Sequence, residues 1–402
     1  MRLSPAAFAL ACLAAACTGA GFAAVTRQSV TVRDASAAPL TLRTVVPAWR
    51  APGVRVPLRG FAGSNETVAL RVNGRVVDRT VSGPLGGFEL AFRTGTPGRY
   101  RLGLAAGDRV RTIGTVTVRP VVLEAVGDIT FGEQVGPALS EFGAAYPWRY
   151  VASTLRRADM TVGNLETSVS ERGTASVKEY TFRGPPSALR PVHTLAGFDV
   201  LTLANNHSAD FGKDALLDTV KAVHAAGMLS IGAGATSVRA RRPAIVGEGG
   251  LRVAFLGYSD VNPLGFSATA TSAGTAKADV AAVDADVRAA RRRADVVVCF
   301  FHWGTELQAN PDARQGLLAD ACLRSGASVV LGAHPHVFGP VSRPTPRTLV
   351  AWTLGNFVFP SSGITARTGI LRVELGARGV SGYRMLPIAI DGFRPRPAGS
   401  YR

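Results

Sequence analysis

The sequence contains few cysteines, few histidines and few acidic residues. Two of its four cysteines, Cys12 and Cys17, lie near the N-terminus, so the chain has no cluster of thiolates for a structural zinc site. The other two, Cys299 and Cys322, lie in apolar stretches. They either form one disulfide or, in the interpretation that we favour, remain two buried free thiols. This cysteine content excludes a small domain held together by disulfides.

No hydrophobic run after the N-terminus is long enough to cross a membrane as a helix. Residues 1–24 combine an early Arg2 with an apolar centre and small residues, which is typical of a secretory signal peptide cleaved just after Ala23. We therefore predict an exported protein that is secreted or associated with the cell envelope. A lipid anchor at Cys17 is the less favoured alternative, because Ala14 stands where a leucine is expected.

Acidic residues are outnumbered by basic ones, 28 Asp and Glu against 45 Lys and Arg, which gives a formal net charge of +17. A basic exported surface favours an anionic partner, such as an envelope polymer or phospholipid headgroups. A general bias towards Ala, Arg and Gly explains the same excess equally well. Nucleic acid is not expected as a partner, because export argues against it and no module of aromatic and basic residues is visible.

Two regions of different periodicity follow the predicted signal peptide. Residues 25–119 contain short alternating runs with a hairpin signal at Asn73-Gly74, which predicts a small immunoglobulin-like β-sandwich that serves as a spacer or docking module. In residues 120–392 apolar strands alternate with helical stretches, which predicts an α/β sandwich of two sheets. The last strands, TLVAWTLGNFVF, GILRVELG and YRMLPIAI, are expected to build the second sheet, and residues 393–402 a tail.

Residues of the types that commonly bind metal ions lie at the ends of five predicted strands. They are Asp128; Asn164 and Glu166; Asn205, Asn206 and His207; His302; and His334 with His336. The carboxyl ends of parallel strands meet at the edge where open α/β sheets bind ligands. This mixture of oxygen and imidazole donors suits one or two divalent ions such as Mn, Zn, Fe or Co. His193 and His224 lie on predicted helices and are interpreted as structural.

Seven sequence motifs resemble those of a known protein family: AVGDITFG, VGNLET, TFRGPP, LANNHSADFG, FHWGTE, GAHPHV and LGNFVF. They occur in the order seen in the CapA-type poly-γ-glutamate capsule-synthesis family, which is similar to the calcineurin-like metallophosphoesterases. The resemblance covers about Val121 to Asp391. It implies a two-sheet α/β sandwich of metallophosphoesterase type with a site for two divalent ions.

The resemblance also implies a role for each ligand. Asp128 and His336 would bind the first ion, Asn206, His302 and His334 would bind the second ion, and Glu166 would bridge the two. The phosphoesterases open their site with an Asp-x-His pair, whereas this chain has Asp128-Ile129-Thr130. One ligand of the first ion is therefore missing.

The same resemblance makes His207 the histidine nearest the substrate and Asp210 its orienting carboxylate. Arg183 is a candidate for binding a substrate phosphate or carboxylate, because a guanidinium pairs with either group in a forked geometry. A surface arginine without function is the alternative for this position.

Two functions remain open from the sequence. One is an exported metal-dependent hydrolase that cleaves a phosphoester or a glutamyl amide in an anionic envelope or capsule substrate. The other is a non-catalytic accessory protein that binds poly-γ-glutamate or a similar polyanion while the envelope synthesis machinery makes or exports it. The missing histidine favours the second function.

Overall fold

The structure is a computed structural model that describes residues 38–399. The predicted signal peptide and its cleavage site therefore lie outside the described residues. Across residues 38–399, no helix has both the length and the apolar character needed to cross a membrane.

The N-terminal region of the described chain contains only strands. They are β1 (Thr41–Leu42), β2 (Trp49–Arg50), β3 (Val56–Phe61), β4 (Thr67–Val72), β5 (Arg75–Val81), β6 (Gly87–Phe92), β7 (Gly98–Ala106) and β8 (Arg109–Val118). Strands β1-β3-β6 form one sheet and strands β2-β8-β7-β4-β5 form a second. Both sheets bury side chains in one apolar core that includes Leu58 and Leu104. Asn73 and Gly74 join β4 to β5 with positive φ angles, as the hairpin signal predicted.

The remaining chain mixes strands and helices. Its strands are β9 (Val121–Ile129), β10 (Met160–Leu165), β11 (Ser168–Val169), β12 (Arg183–Gly184), β13 (Val200–Thr202), β14 (Leu229–Ile231), β15 (Ala233–Gly234), β16 (Ala244–Glu248), β17 (Leu251–Ser259), β18 (Gly274–Thr275), β19 (Val296–His302), β20 (Val329–Ala333), β21 (Val341–Ser342), β22 (Leu349–Ala351), β23 (Asn356–Val358), β24 (Arg367–Gly376), β25 (Gly379–Asp391) and β26 (Arg394–Pro397). Its helices are α1 (Val135–Phe142), α2 (Ala152–Leu155), α3 (Leu189–Thr194), α4 (Lys213–Ala225), α5 (Ser237–Ala240), α6 (Val280–Arg291) and α7 (Ala313–Arg324).

Two large sheets pack face to face between two layers of helices. The first runs β14-β13-β10-β9-β24-β25-β26 with β23 also paired to β9, and the second runs β16-β17-β19-β20-β22-β21. Side chains along β17 alternate between two cores: Val253 and Phe255 face the other sheet, whereas Ala254 and Leu256 face α6 and α7. A separate core lies between the first sheet and helices α1, α3 and α4. This mixed α/β arrangement with several sheets confirms the predicted fold class at that level.

The C-terminal strands β24, β25 and β26 lie in the first sheet and not in the second, so this part of the prediction is wrong. Strands β24, β25 and β26 extend the first sheet, because β24 pairs antiparallel with the open side of β9. The second sheet is built mainly from β16, β17, β19 and β20, with β22 from the quoted TLVAWTLGNFVF segment. The first sheet also continues past residue 392, since Arg394–Pro397 pairs with β25 where a tail was predicted.

The all-β region packs directly onto the α/β region. Ala51 belongs to the core between the two large sheets, and its backbone N–H donates to the carbonyl of Gly249 at 2.9 Å. The Arg119 guanidinium stacks over the Trp49 ring and makes two hydrogen bonds to Asp159, of 2.7 and 2.8 Å. The two regions therefore share apolar core as well as polar contacts.

Both cysteines of the described chain are buried and unbonded. Cys299 lies on β19 and Cys322 on α7, in the core between the second sheet and its helices. This agrees with the interpretation as two free thiols.

Candidate metal centre

The residues singled out at the strand ends meet at one edge, where the two large sheets converge. Strands β9, β10 and β13 of the first sheet run parallel, and so do β19 and β20 of the second. Their carboxyl ends supply Asp128, Glu166, Asn206, His302 and His334. The site therefore uses the edge of the sheets that the sequence indicated.

Two groups of buried and half-buried donor atoms overlap at Glu166. Within the described residues, Asp128, Glu166 and His336 offer ligand atoms that all lie within 4.8 Å of one another. Glu166, His302 and His334 form a second group at the same spacing. The carboxylate of Glu166 is common to both groups, as expected for a bridging residue.

A chain of amides positions Asp128 and His302. Asn205 Nδ2 donates to Leu165 O at 2.8 Å and to Asn164 Oδ1 at 3.0 Å, which directs Asn164 Nδ2 to Asp128 Oδ1 at 2.7 Å. Asn206 Oδ1 lies 2.8 Å from His302 Nε2, so this amide also faces the second donor group. Partners of this kind fix the orientation of the ligand atoms.

Glu166 provides the test of whether the cluster suits a metal ion. The side chain is fully buried, and neither of its carboxylate oxygens accepts a hydrogen bond from any residue in the range 38–399. Nδ1 of His334 also lacks a hydrogen-bond partner within that range. Buried polar atoms without a partner are costly and rare in folded proteins. A divalent cation would satisfy these atoms, so the donor set fits such an ion.

The electrostatics of the cluster divide the candidate ligands into neutral and charged groups. Burial, followed by the charge of Asp128, raises the pKa of Glu166 to about 8. Burial lowers the pKa of His302 to about 3 and that of His334 to about 2, so both imidazoles are neutral. Burial disfavours the charged forms of Asp128 and His336, but the contact between the two side chains favours these forms more strongly. The pKa of Asp128 is therefore lowered and that of His336 raised.

The two histidines around Pro335 have unusual backbone conformations. His334 has a φ of 96° and His336 a φ of 58°, a region that residues other than glycine seldom occupy. The His334 backbone N–H donates to Asp128 Oδ2 at 3.2 Å, and the two imidazole centroids stand 6.0 Å apart. Strain of this kind persists only where surrounding contacts impose it, and it often marks functional sites.

The base of the site depends on the close approach of two backbone segments. Asp128 N–H donates to Gly355 O at 3.0 Å, and a Cβ built on Gly127 would lie 1.7 Å from that same oxygen. Glycine is therefore required at residue 127. Asn356 is the residue after Gly355, and its Oδ1 lies 2.8 Å from His336 Nδ1.

His207 lies beside the cluster with its own set of partners. Its Nδ1 lies 2.8 Å from Asp210 Oδ2, and its Nε2 lies 4.0 Å from Glu166 Oε1. Lys178 Nζ donates to Asp210 Oδ1 at 2.7 Å and lies 3.1 Å from His207 Nδ1. The Phe182 ring stacks on the imidazole at a centroid distance of 4.0 Å. These contacts fix the imidazole so that its Nε2 faces the donor groups.

Arg183 is not brought into the cluster. Its guanidinium donates to the carbonyls of Arg172 and Gly173 at 2.7 and 3.0 Å and lies over the Phe211 ring. The cation beside His207 is Lys178 instead. His193 and His224 also lie apart, bonded to Phe198 O and Ser230 Oγ respectively.

Sequence reasoning missed three residues that contact the site. Lys178 stands in the loop before β12 and carried no spacing signal. Asn356 lies directly after Gly355 in the quoted LGNFVF motif. Glu306 follows the FHWG motif, is exposed, and offers a carboxylate within 4.8 Å of donor atoms on His334 and His336. Its place in the quoted FHWGTE motif was the available signal.

The fold and the cluster together define an α/β protein with a candidate site for divalent ions where two sheets converge. Residues 122–361 match the model of the family described as bacterial capsule synthesis protein PGA_cap. The chain is also 30% identical over 276 residues to the PGA biosynthesis protein CapA of Bacillus subtilis, covering 68% of this chain and 72% of that protein. The chain therefore belongs to this capsule-synthesis family.

Two further proteins are similar to this chain. A probable polyglutamine synthesis accessory protein of Mycobacterium tuberculosis is 32% identical over 210 residues, which covers 49% of this chain and 55% of that protein. The solved structure of the calcineurin-like phosphoesterase YfkN from Bacillus subtilis is 14% identical, with a TM-score of 0.40, and the match covers 67% of this chain and 89% of that chain.

Proposed function

We propose that this protein is an exported metal-dependent hydrolase that cleaves a phosphoester or a glutamyl amide in an anionic envelope or capsule substrate. The observation that carries the proposal is the buried carboxylate of Glu166, which has no hydrogen-bond partner within residues 38–399 and is common to two groups of donor atoms. Membership of the capsule-synthesis family supports a substrate related to polyglutamate.

In this proposal two ions share the cluster. Asp128, His336 and Glu166 would hold one ion, and Glu166, His302, His334 and Asn206 would hold the other. Divalent ions bound as such a pair polarise the scissile group and lower the pKa of water. Oxygen and imidazole donors suit Mn, Zn, Fe or Co.

His207 supplies the proton chemistry in this proposal. Asp210 Oδ2 accepts from Nδ1–H, so a second proton on the ring resides at Nε2, the atom that faces the donor groups. From there it passes to the oxygen or nitrogen of the leaving group. Lys178 holds the other oxygen of Asp210, and Phe182 N–H donates to Asp210 Oδ2 at 2.7 Å, so the carboxylate cannot rotate away.

Access to the site limits what can react there. The side chains of Asp128 and Glu166 are completely buried, whereas those of His207, His336 and Lys178 are 8%, 17% and 19% exposed. A substrate therefore reaches the cluster past these three cationic or basic groups. This arrangement favours an anionic group that protrudes from a chain, such as a phosphate or a terminal glutamyl unit.

The experiment measures hydrolysis by purified protein loaded in turn with Mn, Zn, Fe or Co. The substrates are an aryl phosphodiester, an aryl phosphomonoester, a γ-glutamyl peptide and poly-γ-glutamate. Turnover of one class that requires metal and falls strongly in His207→Ala supports the proposal. Metal-loaded protein that binds poly-γ-glutamate and cleaves none of the four substrates would exclude a hydrolase of these classes.

A second candidate is a non-catalytic accessory protein that binds polyglutamate or a similar polyanion. Thr130 favours it, because it occupies the position of the histidine that the resemblance assigns to the first ion. Its hydroxyl accepts from Gly132 N–H at 3.2 Å and is buried. For this candidate, binding of poly-γ-glutamate would persist in His207→Ala.

Three further points belong to the proposal. Export depends on residues 1–24, which act as a signal peptide. The region up to residue 119 is a module of immunoglobulin type, and its packing onto the α/β region makes it a support for that region as well as a spacer. The partners of the protein are the machinery of envelope synthesis.

A further inference from the structure

A cavity lies away from the metal centre, between the open edges of the two large sheets. Strand β14 is the edge of the first sheet and β16 is the edge of the second. The cavity between them, about 650 Å³ in volume, is bounded by helices α4 and α5 and is here called the edge cavity. Its volume is in the range of pockets that bind small organic ligands.

The wall of the edge cavity is mainly aliphatic. Leu217 and Val220 of α4, Leu229 of β14, Ala233 of β15 and Ile245 of β16 line it. The imidazole of His224 and the hydroxyl of Ser230, whose Nε2 and Oγ lie 3.0 Å apart, also line the cavity. A wall of this kind removes a flexible hydrocarbon chain from water, which is favourable in proportion to the apolar area buried.

Basic side chains surround this aliphatic wall. Lys221, Arg239, Arg242 and Arg293 line the cavity and are exposed, and no acidic side chain of the described chain lines it. None of the four makes an ion pair with a residue in the range 38–399, whereas the adjacent Arg241 makes two hydrogen bonds of 2.8 Å to Asp286. The four cations are therefore available to an anion at the mouth of the cavity.

We propose that the edge cavity binds an anionic amphiphile: one acyl or alkyl chain inside, with a phosphate or carboxylate held by Lys221, Arg239, Arg242 and Arg293. Guanidinium groups pair with either anion in a forked geometry. An extended acidic peptide fits less well, because strand β14 has only three residues and offers few backbone partners for strand addition. The binding site is separate from the metal centre and does not depend on the proposed hydrolysis.

The test is calorimetric titration of the whole chain with decyl phosphate, kept below its micelle concentration, with neutral decyl maltoside as the comparison. Arg239→Glu combined with Arg242→Glu reverses two of the cations, and Val220→Trp fills the cavity. Arg99→Glu combined with Arg101→Glu is the matched control, since these arginines line a polar cleft of the N-terminal sheets. We expect saturable one-to-one binding of decyl phosphate that weakens about tenfold or more in the first two variants and is unchanged in the control.

A flotation assay with phosphatidylglycerol and phosphatidylcholine vesicles distinguishes the source of the amphiphile. Binding to anionic vesicles that is lost in the double variant identifies a bilayer lipid, and binding of monomer alone identifies a free acylated anion; either result supports the proposal. Equal binding of decyl phosphate and decyl maltoside, equal loss in the control variant, or binding of an acidic peptide but not of decyl phosphate would overturn it. If Val220→Trp does not fold, the charge variants decide.

Discussion

Replacing Glu166 by glutamine should stabilise the metal-free protein and weaken metal binding. The side chain is fully buried and neither oxygen accepts a hydrogen bond within the described chain, so its negative charge is unfavourable without a cation. Glutamine has nearly the same shape but no charge. The substitution therefore separates two effects of the carboxylate: it lowers the free energy of unfolding of the metal-free protein, and it raises the affinity for metal.

The size of the effect follows from the pKa of Glu166, which burial and the charge of Asp128 raise from 4.5 to about 8. Below pH 4.5 the carboxyl is protonated in both the folded and the unfolded chain, and the penalty is absent. Between pH 4.5 and 8 only the unfolded chain ionises, so the free energy of unfolding falls as pH rises. The full difference is at most roughly 5 kcal/mol, since each tenfold change in an acid constant corresponds to about 1.4 kcal/mol.

The assay is urea unfolding in the presence of EDTA from pH 4 to pH 8.5, with metal content measured separately. Metal-free Glu166→Gln should match the wild type near pH 4 and become more stable by several kcal/mol near pH 8.5. When both proteins are offered Mn or Zn, the order should reverse because the wild type binds metal more tightly. Glu141→Gln, at an exposed position of α1, is the control and should follow the wild type. A pH-independent difference, or equal metal affinity in both proteins, would refute the reasoning.

Three other predictions follow from the same structure. Elemental analysis should show that His336→Ala keeps one tightly bound ion, whereas His334→Ala loses more metal. Equal, undiminished metal content in both variants would show that these histidines are not metal ligands. Lys178→Gln should lower turnover roughly ten- to hundredfold without loss of metal, whereas Arg183→Gln should change neither turnover nor metal content. A larger loss of turnover in Arg183→Gln than in Lys178→Gln would indicate that Arg183 contacts the substrate. Removal of residues 1–119 should lower the midpoint of thermal unfolding by several degrees, because it uncovers apolar core, and an unchanged midpoint would show that the regions are independent.

The positions of the candidate ligands could be predicted because they depend on local features of the sequence. Each follows a buried parallel strand, and parallel strands bring their carboxyl ends to one edge whatever their order in the sheet. Asp128, Glu166, His302 and His334 were found in this way. The grouping into two sets around Glu166 came from the family resemblance, since spacing along the chain does not fix distances between strands.

The features that sequence reasoning missed depend on contacts between distant segments. Nothing near Lys178 indicates that its loop folds over Asp210, and Arg183, in a motif, was the more conspicuous cation. The pairing of β24 with β9 joins residues about 250 positions apart, as in Glu124 opposite Arg372. Sequential strands are usually neighbours in a sheet, so a pairing across such a distance is not indicated by the local sequence.

The ligands of the candidate site are dispersed along the chain, and this determines when a metal can be captured. They run from Asp128 to His336, and they lie at the ends of strands of two different sheets or in the loops that follow these strands. An unfolded or partly folded chain offers at most a pair of neighbouring donors, so it cannot chelate an ion with comparable affinity. An ion bound at this site would therefore be acquired from the surroundings in which folding is completed. The metal supply of that compartment, more than that of the site of synthesis, would decide which element the protein carries.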